Sequence, residues 1–323
     1  MIDGYKGKHV LVTGSGGFIG HHLARWLRAR GKYVRGVDLI PPMFSSPAEM
    51  NEFHVMDLRD PKACEMAVKD MDQVYNLAAL NGSIEFTTNN KAELVHNNAM
   101  INLNMAEACW KEKVKKCFYS SSACVYPIHY QDTDEVHPLK ESDVDPAHPD
   151  TEYGWEKLFS EHVWMDYAED RGMEVRIARF INVYGTECLI DTLKSKAPMA
   201  LTRKVIEAGN GGSVEIWGDG KQKRTFCYIS DLLDGIDRLM KSDVKVPVNL
   251  GSDELMSIDE LVDLAADIEG VKVKKVHQRN KVQGVRTRTP DMTQVNKLGW
   301  KRIVTMREGM TEINKFAHSI LDK

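Results

Sequence analysis

The sequence predicts an α/β protein built on a doubly wound parallel sheet, with a smaller domain interleaved with it toward the C-terminus. Three observations carry this expectation. Short runs rich in Val and Tyr alternate with helical patterns through the first half; the first run ends in a glycine loop that opens a helix; and 323 residues is long for one core. HVLVT (9–13), YVRGV (33–37), EFHVM (52–56), QVYNL (73–77) and KCFYS (116–120) read as strands, with helices between them near 18–30, 61–69 and 91–111. Strands joined through helices pair in parallel by right-handed crossovers. EVRIA (174–178) and PVNLG (247–251) read as further strands of the same sheet. Residues 181–225, rich in Gly, Lys and Thr, read as irregular. Residues 1–180, rejoined by 226–257, are thus expected to form the sheet domain, and 181–323 mainly the smaller, substrate-binding one.

Composition excludes several classes of protein. A formal charge of −4 with no block of Lys and Arg argues against a nucleic-acid partner. No apolar run approaches the roughly 18 residues of a membrane span. The apolar run after the charged N-terminal stretch is too short for a signal-peptide core, so a cytoplasmic protein is expected. Cysteines stand at 64, 109, 117, 124, 188 and 227 with no Cys-x-x-Cys pair, so spacing implies no metal site. In a cytosolic chain they stay reduced, and most read as small buried hydrophobes.

The glycine loop is Gly14-Ser15-Gly16-Gly17-Phe18-Ile19-Gly20, a GxxGxxG pattern formed by Gly14, Gly17 and Gly20. Glycine lets the backbone turn sharply against a pyrophosphate, and the first turn of the helix, with Phe18 and Ile19, supplies N–H groups and the positive dipole end. Strand, loop and helix follow in the order a Rossmann-type dinucleotide site requires. About twenty residues on, after the second strand, comes Asp38. A carboxylate there accepts from the adenosine ribose hydroxyls and repels a 2′-phosphate, so the expected cofactor is NAD rather than NADP. Asp57-Leu58 follows the third strand, where a carboxylate meets an adenine amino group. Asn76-Leu77-Ala78-Ala79 follows the fourth, with small residues where ligands of open α/β sheets lie.

Tyr153 and Lys157, four apart at the start of a helical run to about residue 169, share one helix face. Tyrosine is a poor base near pH 7 because its pKa is about 10, and a neighbouring ammonium favours the phenolate. Ser120-Ser121-Ser122-Ala123-Cys124-Val125-Tyr126-Pro127 ends the fifth strand some thirty residues earlier. The combination resembles the extended short-chain dehydrogenase family over essentially the whole chain. The resemblance implies that Ser122 hydrogen-bonds the reacting oxygen beside Tyr153. Arg179-Phe180-Ile181-Asn182-Val183-Tyr184-Gly185 resembles the family's segment at nicotinamide and sugar diphosphate.

Within that family the chain resembles the GDP-mannose 3,5-epimerases. SSACVYP matches their SSAC-x-YP segment, and NNAMINLNMAEA (97–108) their helix, with Asn98 among the implied cofactor contacts. Lys194-Ser195-Lys196-Ala197-Pro198 resembles the segment carrying their catalytic lysine, which falls on Lys196. WGDGKQKRTF (217–226) resembles the nucleotide-binding run and GVRTRTPD (284–291) the C-terminal arginine motif, which places Arg288 on the diphosphate. The resemblance implies cofactor contacts at Phe180 and Val183. It implies substrate contacts at Gly82, Ser122, Ala123, Cys124, Asn182, Ser195, Lys196, Ala197, Lys204, Gln222, Lys223, Arg224 and Arg288. Cys124 stands where related dehydratases carry a glutamate base, and a thiol serves as base once a cation stabilises its anion.

Three places differ from the epimerase pattern and are expected to border the sugar: residues 80–86, where Glu85 adds a carboxylate; residues 186–192; and Ile181 in place of a polar residue. The expected activity is C3/C5 epimerisation of a GDP-hexose through transient oxidation at C4. A nucleotide-sugar dehydratase, a 4-epimerase and a non-catalytic NAD-binding regulator are the alternatives. A homodimer is expected, with Leu94, Ile101, Met105 and Ala108 as an apolar stripe on the helix 91–111 that resembles the family's intersubunit bundle.

Overall fold

The structure, a computed structural model, describes residues 9–82, 84–190, 195–281 and 283–321, with main chain only at residue 84. Strands in chain order are β1 (His9–Thr13), β2 (Tyr33–Asp38), β3 (Glu52–Val55), β4 (Gln73–Asn76), β5 (Lys116–Ser122), β6 (Pro138–Leu139), β7 (Val175–Phe180), β8 (Val183–Tyr184), β9 (Ser213–Trp217), β10 (Lys223–Thr225), β11 (Cys227–Tyr228), β12 (Val248–Leu250), β13 (Leu255–Ser257), β14 (Lys274–Gln278) and β15 (Thr287–Pro290). Helices are α1 (Phe18–Ala29), α2 (Pro61–Val68), α3 (Ile84–Asn89), α4 (Lys91–Lys111), α5 (Glu152–Arg171), α6 (Ala197–Ala208), α7 (Ile229–Lys241), α8 (Ile258–Glu269), α9 (Thr293–Lys297) and α10 (Met306–Leu321).

The large sheet runs β12-β7-β5-β4-β1-β2-β3, and every pairing in it is parallel. The order reverses between β1 and β4, the switch point beside which open α/β sheets bind ligands. Val10, Val12, Val34 and Val248 pack on one face with α1 and α7 residues such as Leu23, Leu27, Leu232 and Ile236. Leu11, Val37 and Val74 pack on the other with α2, α4 and α5 residues such as Ala67, Met105 and Trp164. Strands buried on both faces are what the Val-rich runs dictate. Caps set the helix starts: Asp60 accepts from Lys62 N at 3.0 Å ahead of α2, and Thr151 Oγ1 from Gly154 N at 3.3 Å ahead of α5.

Residues 181–225, expected to be irregular, contain α6 and strands β8, β9 and β10. Pro198 opens α6, and Met199, Leu201, Thr202 and Val205 form its buried stripe. The glycines that suggested irregularity sit in the flanking turns at 209–212 and 218–220. This layer shares a core with later residues: Val205, Val214 and Ile216 pack with Leu261, Met310 and Ile313.

The stripe proposed for dimerisation lies elsewhere than expected. Leu94, Met105 and Ala108 are buried inside the chain, and Ile101 packs on the same core. The large apolar groups left at the surface of this helix pair are Leu103, 40 % exposed, and Trp155 and Phe159, each 47 % exposed, the last two with Val95 and Ala99 beside them in a cavity of about 320 Å³. Among the described residues no helix is long and apolar enough to cross a membrane.

Candidate active site

The glycine loop is built by close approach. Gly14 has φ +69°, and a Cβ there would lie 2.9 Å from Ala78 N; a Cβ on Gly20 would lie 2.0 Å from Gly14 O. The loop therefore presses β1, α1 and the end of β4 together. Gly17 caps α1 with no side-chain hydrogen bond, and no acid stands in the first turn. The N–H groups of that turn are thus left for an anion, which a pyrophosphate fits. Asp38 closes the loop: its carboxylate accepts from Gly16 N at 2.9 Å, Leu39 N at 2.6 Å and Ile40 N at 3.2 Å.

Beneath it runs a polar chain that spacing alone did not reveal. Thr13 Oγ1 donates to Asn76 Oδ1 (2.7 Å) and accepts from Leu77 N and Ala78 N (3.1 Å each); Asn76 Nδ2 donates to Asn102 Oδ1 (2.9 Å); Asn102 Nδ2 donates to Glu156 Oε1 (3.2 Å). It ties β1, β4, α4 and α5 into one floor below Leu77, Ala78 and Ala79. Asn98 spends its amide on Leu80, accepting from its N at 2.6 Å and donating to its O at 3.0 Å, so it holds the 77–82 loop. Leu58 is buried in the core, while Asp57 pairs with Arg59 at 2.6 Å, which holds its carboxyl below the usual range. Phe180 and Val183 pack on the same core as Phe18 and Ile19.

Tyr153 projects from the first turn of α5 and is 8 % exposed. Burial pushes its phenol well above its ordinary pKa, with the charges of Cys124 and Glu156 adding and a Ser122 hydrogen bond opposing. Asn81 Nδ2 also donates to its oxygen, at 3.4 Å. Lys157 Nζ donates to Ser120 O at 3.0 Å and lies 5.7 Å from the Tyr153 ring; burial lowers its pKa against the pull of Glu156 and Glu161. Ser122 Oγ accepts from Cys124 N at 3.2 Å and so shapes the turn Ala123–Val125.

Cys124 faces the smaller layer. Arg288 Nη1, on β15, lies 3.3 Å from its Sγ, while Arg288 also donates through Nε to Gln131 Oε1 (2.5 Å) and through Nη2 to Asp150 Oδ2 (3.2 Å). Arg288, expected on a diphosphate, is in this structure engaged with the thiol. Lys196 is exposed along its stem, but its ammonium donates to Gly82 O at 3.3 Å. Desolvation lowers the pKa of that ammonium; Cys124 opposes and Arg288 adds to the shift. Arg224 is held by the carbonyls of Lys223 (2.7 Å), Arg286 (3.3 Å) and Val285, and burial with the charge of Arg288 brings it down to about 9.

The remaining implied substrate residues have these partners. Asn182, at φ +43°, donates to Thr225 O at 2.8 Å, and Gln222 donates to Trp217 O at 2.9 Å. Lys204 donates to Glu215 O at 2.9 Å, and Lys223 is exposed on β10. Ser195 donates to Leu189 O just before Ala197 starts α6, and Ala123 is buried.

The three departures from the epimerase pattern have different surroundings. Ile181 is buried with Ala123, Val125 and Tyr126. Glu85 is exposed on α3. Glu187 turns away to α1, pairing with Arg25 at 2.9 Å and His21 at 3.1 Å. Residues 83 and 191–194 lie outside the described residues. His21, His22 and Glu187 bring potential ligand atoms together, but Arg25 Nη2 bonds both Glu187 and His22 Nδ1 (3.1 Å) and occupies the place a cation would take.

A parallel switch-point sheet, an open glycine loop and a Ser–Tyr–Lys set with Tyr153 and Lys157 buried define a dinucleotide-dependent enzyme of the short-chain dehydrogenase type. Residues 10–251 match the NAD dependent epimerase/dehydratase family. The chain is 39 % identical over 308 residues to GDP-mannose 3,5-epimerase of Arabidopsis thaliana, covering 93 % of this chain and 80 % of that one. It is 28 % identical to UDP-glucuronic acid decarboxylase 1 of the same plant, covering 99 % of this chain and 72 % of that one. The Thermotoga maritima UDP-glucose 4-epimerase structure with UDP-glucose superposes with a TM-score of 0.87 at 24 % identity, covering 97 % and 99 % of the two chains. The chain belongs to the NAD dependent epimerase/dehydratase family, and NAD is its cofactor.

Proposed function

We propose that the chain is a nucleotide-sugar epimerase of the GDP-mannose 3,5-epimerase kind, acting at C3 and/or C5 of a GDP-hexose. The observation that carries the reading is a thiol, Cys124, set against a guanidinium within the field of Lys196 and beside Tyr153. NAD, when bound, supplies the acceptor for the C4 hydride and later its source. Tyr153, hydrogen-bonded by Ser122, exchanges the proton of the C4 hydroxyl, and Lys157 supports it from the same helix face. The C4 ketone makes the hydrogens on its neighbouring carbons acidic; Cys124 removes one, and the Lys196 ammonium returns a proton from the other face. Arg288 would hold the diphosphate, with Gln222, Lys223 and Arg224 beside it in the substrate site. We further propose a homodimer closed over Trp155 and Phe159.

Turnover of a panel of GDP- and UDP-sugars in D₂O tests the assignment. Deuterium on C3 or C5 of an epimerised GDP-hexose is expected. Loss of the mass of water would make the chain a dehydratase, a C4 epimer without carbon-bound deuterium a 4-epimerase, and NAD binding without turnover a regulator.

A further inference from the structure

We propose that Asn81 is a positioning residue for Tyr153, its amide N–H held on the phenol oxygen so that the phenolate can form. The inference rests on Tyr153 being the base of the hydride step proposed above. It names a donor peculiar to this chain, since residues 80–86 depart from the epimerase pattern. Asn81 Oδ1 accepts from Gly82 N at 2.8 Å, and Nδ2 donates to Tyr153 Oη at 3.4 Å. A main-chain N–H needs an oxygen, so the amide nitrogen is the end turned to the phenol. The loop that presents it is pinned on both sides. Asn98, fully buried on α4, holds both main-chain groups of Leu80, and a Cβ on Gly82 would lie 2.8 Å from the Phe86 ring on α3. Gly82 O accepts from Lys196 Nζ at 3.3 Å. Gly82 thus joins the ammonium to the amide, and the donors run in one direction toward Tyr153.

A phenol as buried as Tyr153 ionises at a cost, because its anion is kept from water. Several groups act on it. The charges of Cys124 and Glu156 oppose the anion, and the Ser122 hydrogen bond favours it. Lys157 lies 5.7 Å from the ring with its ammonium on Ser120 O, and the buried phenol of Tyr119 interacts with it as well. An N–H on the oxygen adds to the side that favours the anion, and a neutral amide brings no charge of its own to desolvate. If Asn81 only shaped the loop, the work would be done by Oδ1 on Gly82 N. The two roles therefore part at Nδ2, the atom that faces Tyr153. The other groups stay in place in both Asn81 variants below.

Titration of the NAD-loaded full chain from about pH 5 to 10, followed by tyrosinate absorbance in the near ultraviolet, reads the phenolates; subtracting the same titration of Tyr153→Phe leaves that of Tyr153. Asn81→Leu, close to asparagine in volume but without a donor, should move the Tyr153 midpoint up by about one pH unit, about a tenfold loss of phenolate at a given pH below the midpoint. Asn81→Asp keeps the acceptor for Gly82 N and sets a negative charge beside the phenol, so it should move the midpoint up further. A loop-shaping role alone would leave Asn81→Asp level with the unaltered chain. If Asn81→Leu fails to fold by circular dichroism or to hold NAD, the sign of the Asn81→Asp shift decides. Coincident midpoints for Asn81→Leu and the unaltered chain, or an Asn81→Asp midpoint at or below the unaltered one, would overturn the proposal. So would the absence of a Tyr153 signal from the unaltered chain over this range. No sugar enters this experiment, so its failure is distinct from failure of the epimerase reading in D₂O.

Discussion

A phenol acts as a base only where its anion is stabilised, and Tyr153 in the ligand-free protein holds its proton firmly. Its partner ammonium is 5.7 Å from the ring and bonded to Ser120, so a further positive charge has to arrive with the ligands before the proton leaves. Tyr153→Phe should accordingly abolish transient NADH absorbance and every later step. Lys196→Ala should keep the absorbance change and lose inversion, and Cys124→Ser should lose deuterium exchange about a hundred- to ten-thousand-fold at intact NAD binding. Equal loss of hydride transfer in all three would refute the division of roles. Tyr153 and Lys157 were legible as residue types at a spacing, and Cys124 through the resemblance of its segment to the epimerases. Asp150, Gln131, Asn81 and Asn102 were not, because a side-chain bond across 26 to 157 residues leaves no local pattern.

At the scale of elements, the end of β5 is clamped to α5 and β7 by one buried pair. Arg179 meets Glu161 through Nη2 at 2.7 Å and Nε at 2.9 Å; Ser121 also donates to Glu161, and Arg179 Nη1 reaches Tyr126 Oη at 3.2 Å. Glu161→Ala leaves that guanidinium buried without its counter-ion and should destabilise the chain by about 3–5 kcal/mol in urea unfolding. A loss below about 1 kcal/mol would mean that water replaces the carboxylate. The strand runs were readable because residues buried on both faces are apolar throughout. Residues 181–225 were misread because glycines of short turns dilute the composition of a helix and strands only a few residues long.

For the whole molecule, two expectations follow. Trp155 and Phe159 leave an apolar face that a second copy would cover, so the chain should sediment as a dimer at micromolar concentration and Trp155→Glu as a monomer; an unaltered monomer would remove the interface. Alkali should also unfold the protein early. Burial raises Tyr119, Tyr126 and Tyr153 above the value of about 10 they have when unfolded, Tyr126 to about 12. Protons held more tightly in the fold stabilise it fully below pH 10, and that stability drains as pH rises through 12. Urea midpoints that stayed level from about pH 9 to pH 12 would contradict this sign.

Sequence alone determined the parallel sheet, the glycine loop with Asp38 on the next strand, and the Tyr153–Lys157 pair, because each is written in periodicity or in a fixed order of short motifs; Ser122 joined that pair only through the family resemblance, being 31 residues from Tyr153. Tertiary structure decided what those patterns could not carry. It buried the stripe of α4 that suggested dimerisation, turned Glu187 toward α1, and brought Arg288 from the C-terminal motif onto Cys124 across 164 residues. Such contacts depend on how separate elements pack, and packing selects partners by shape and charge in space rather than by distance along the chain.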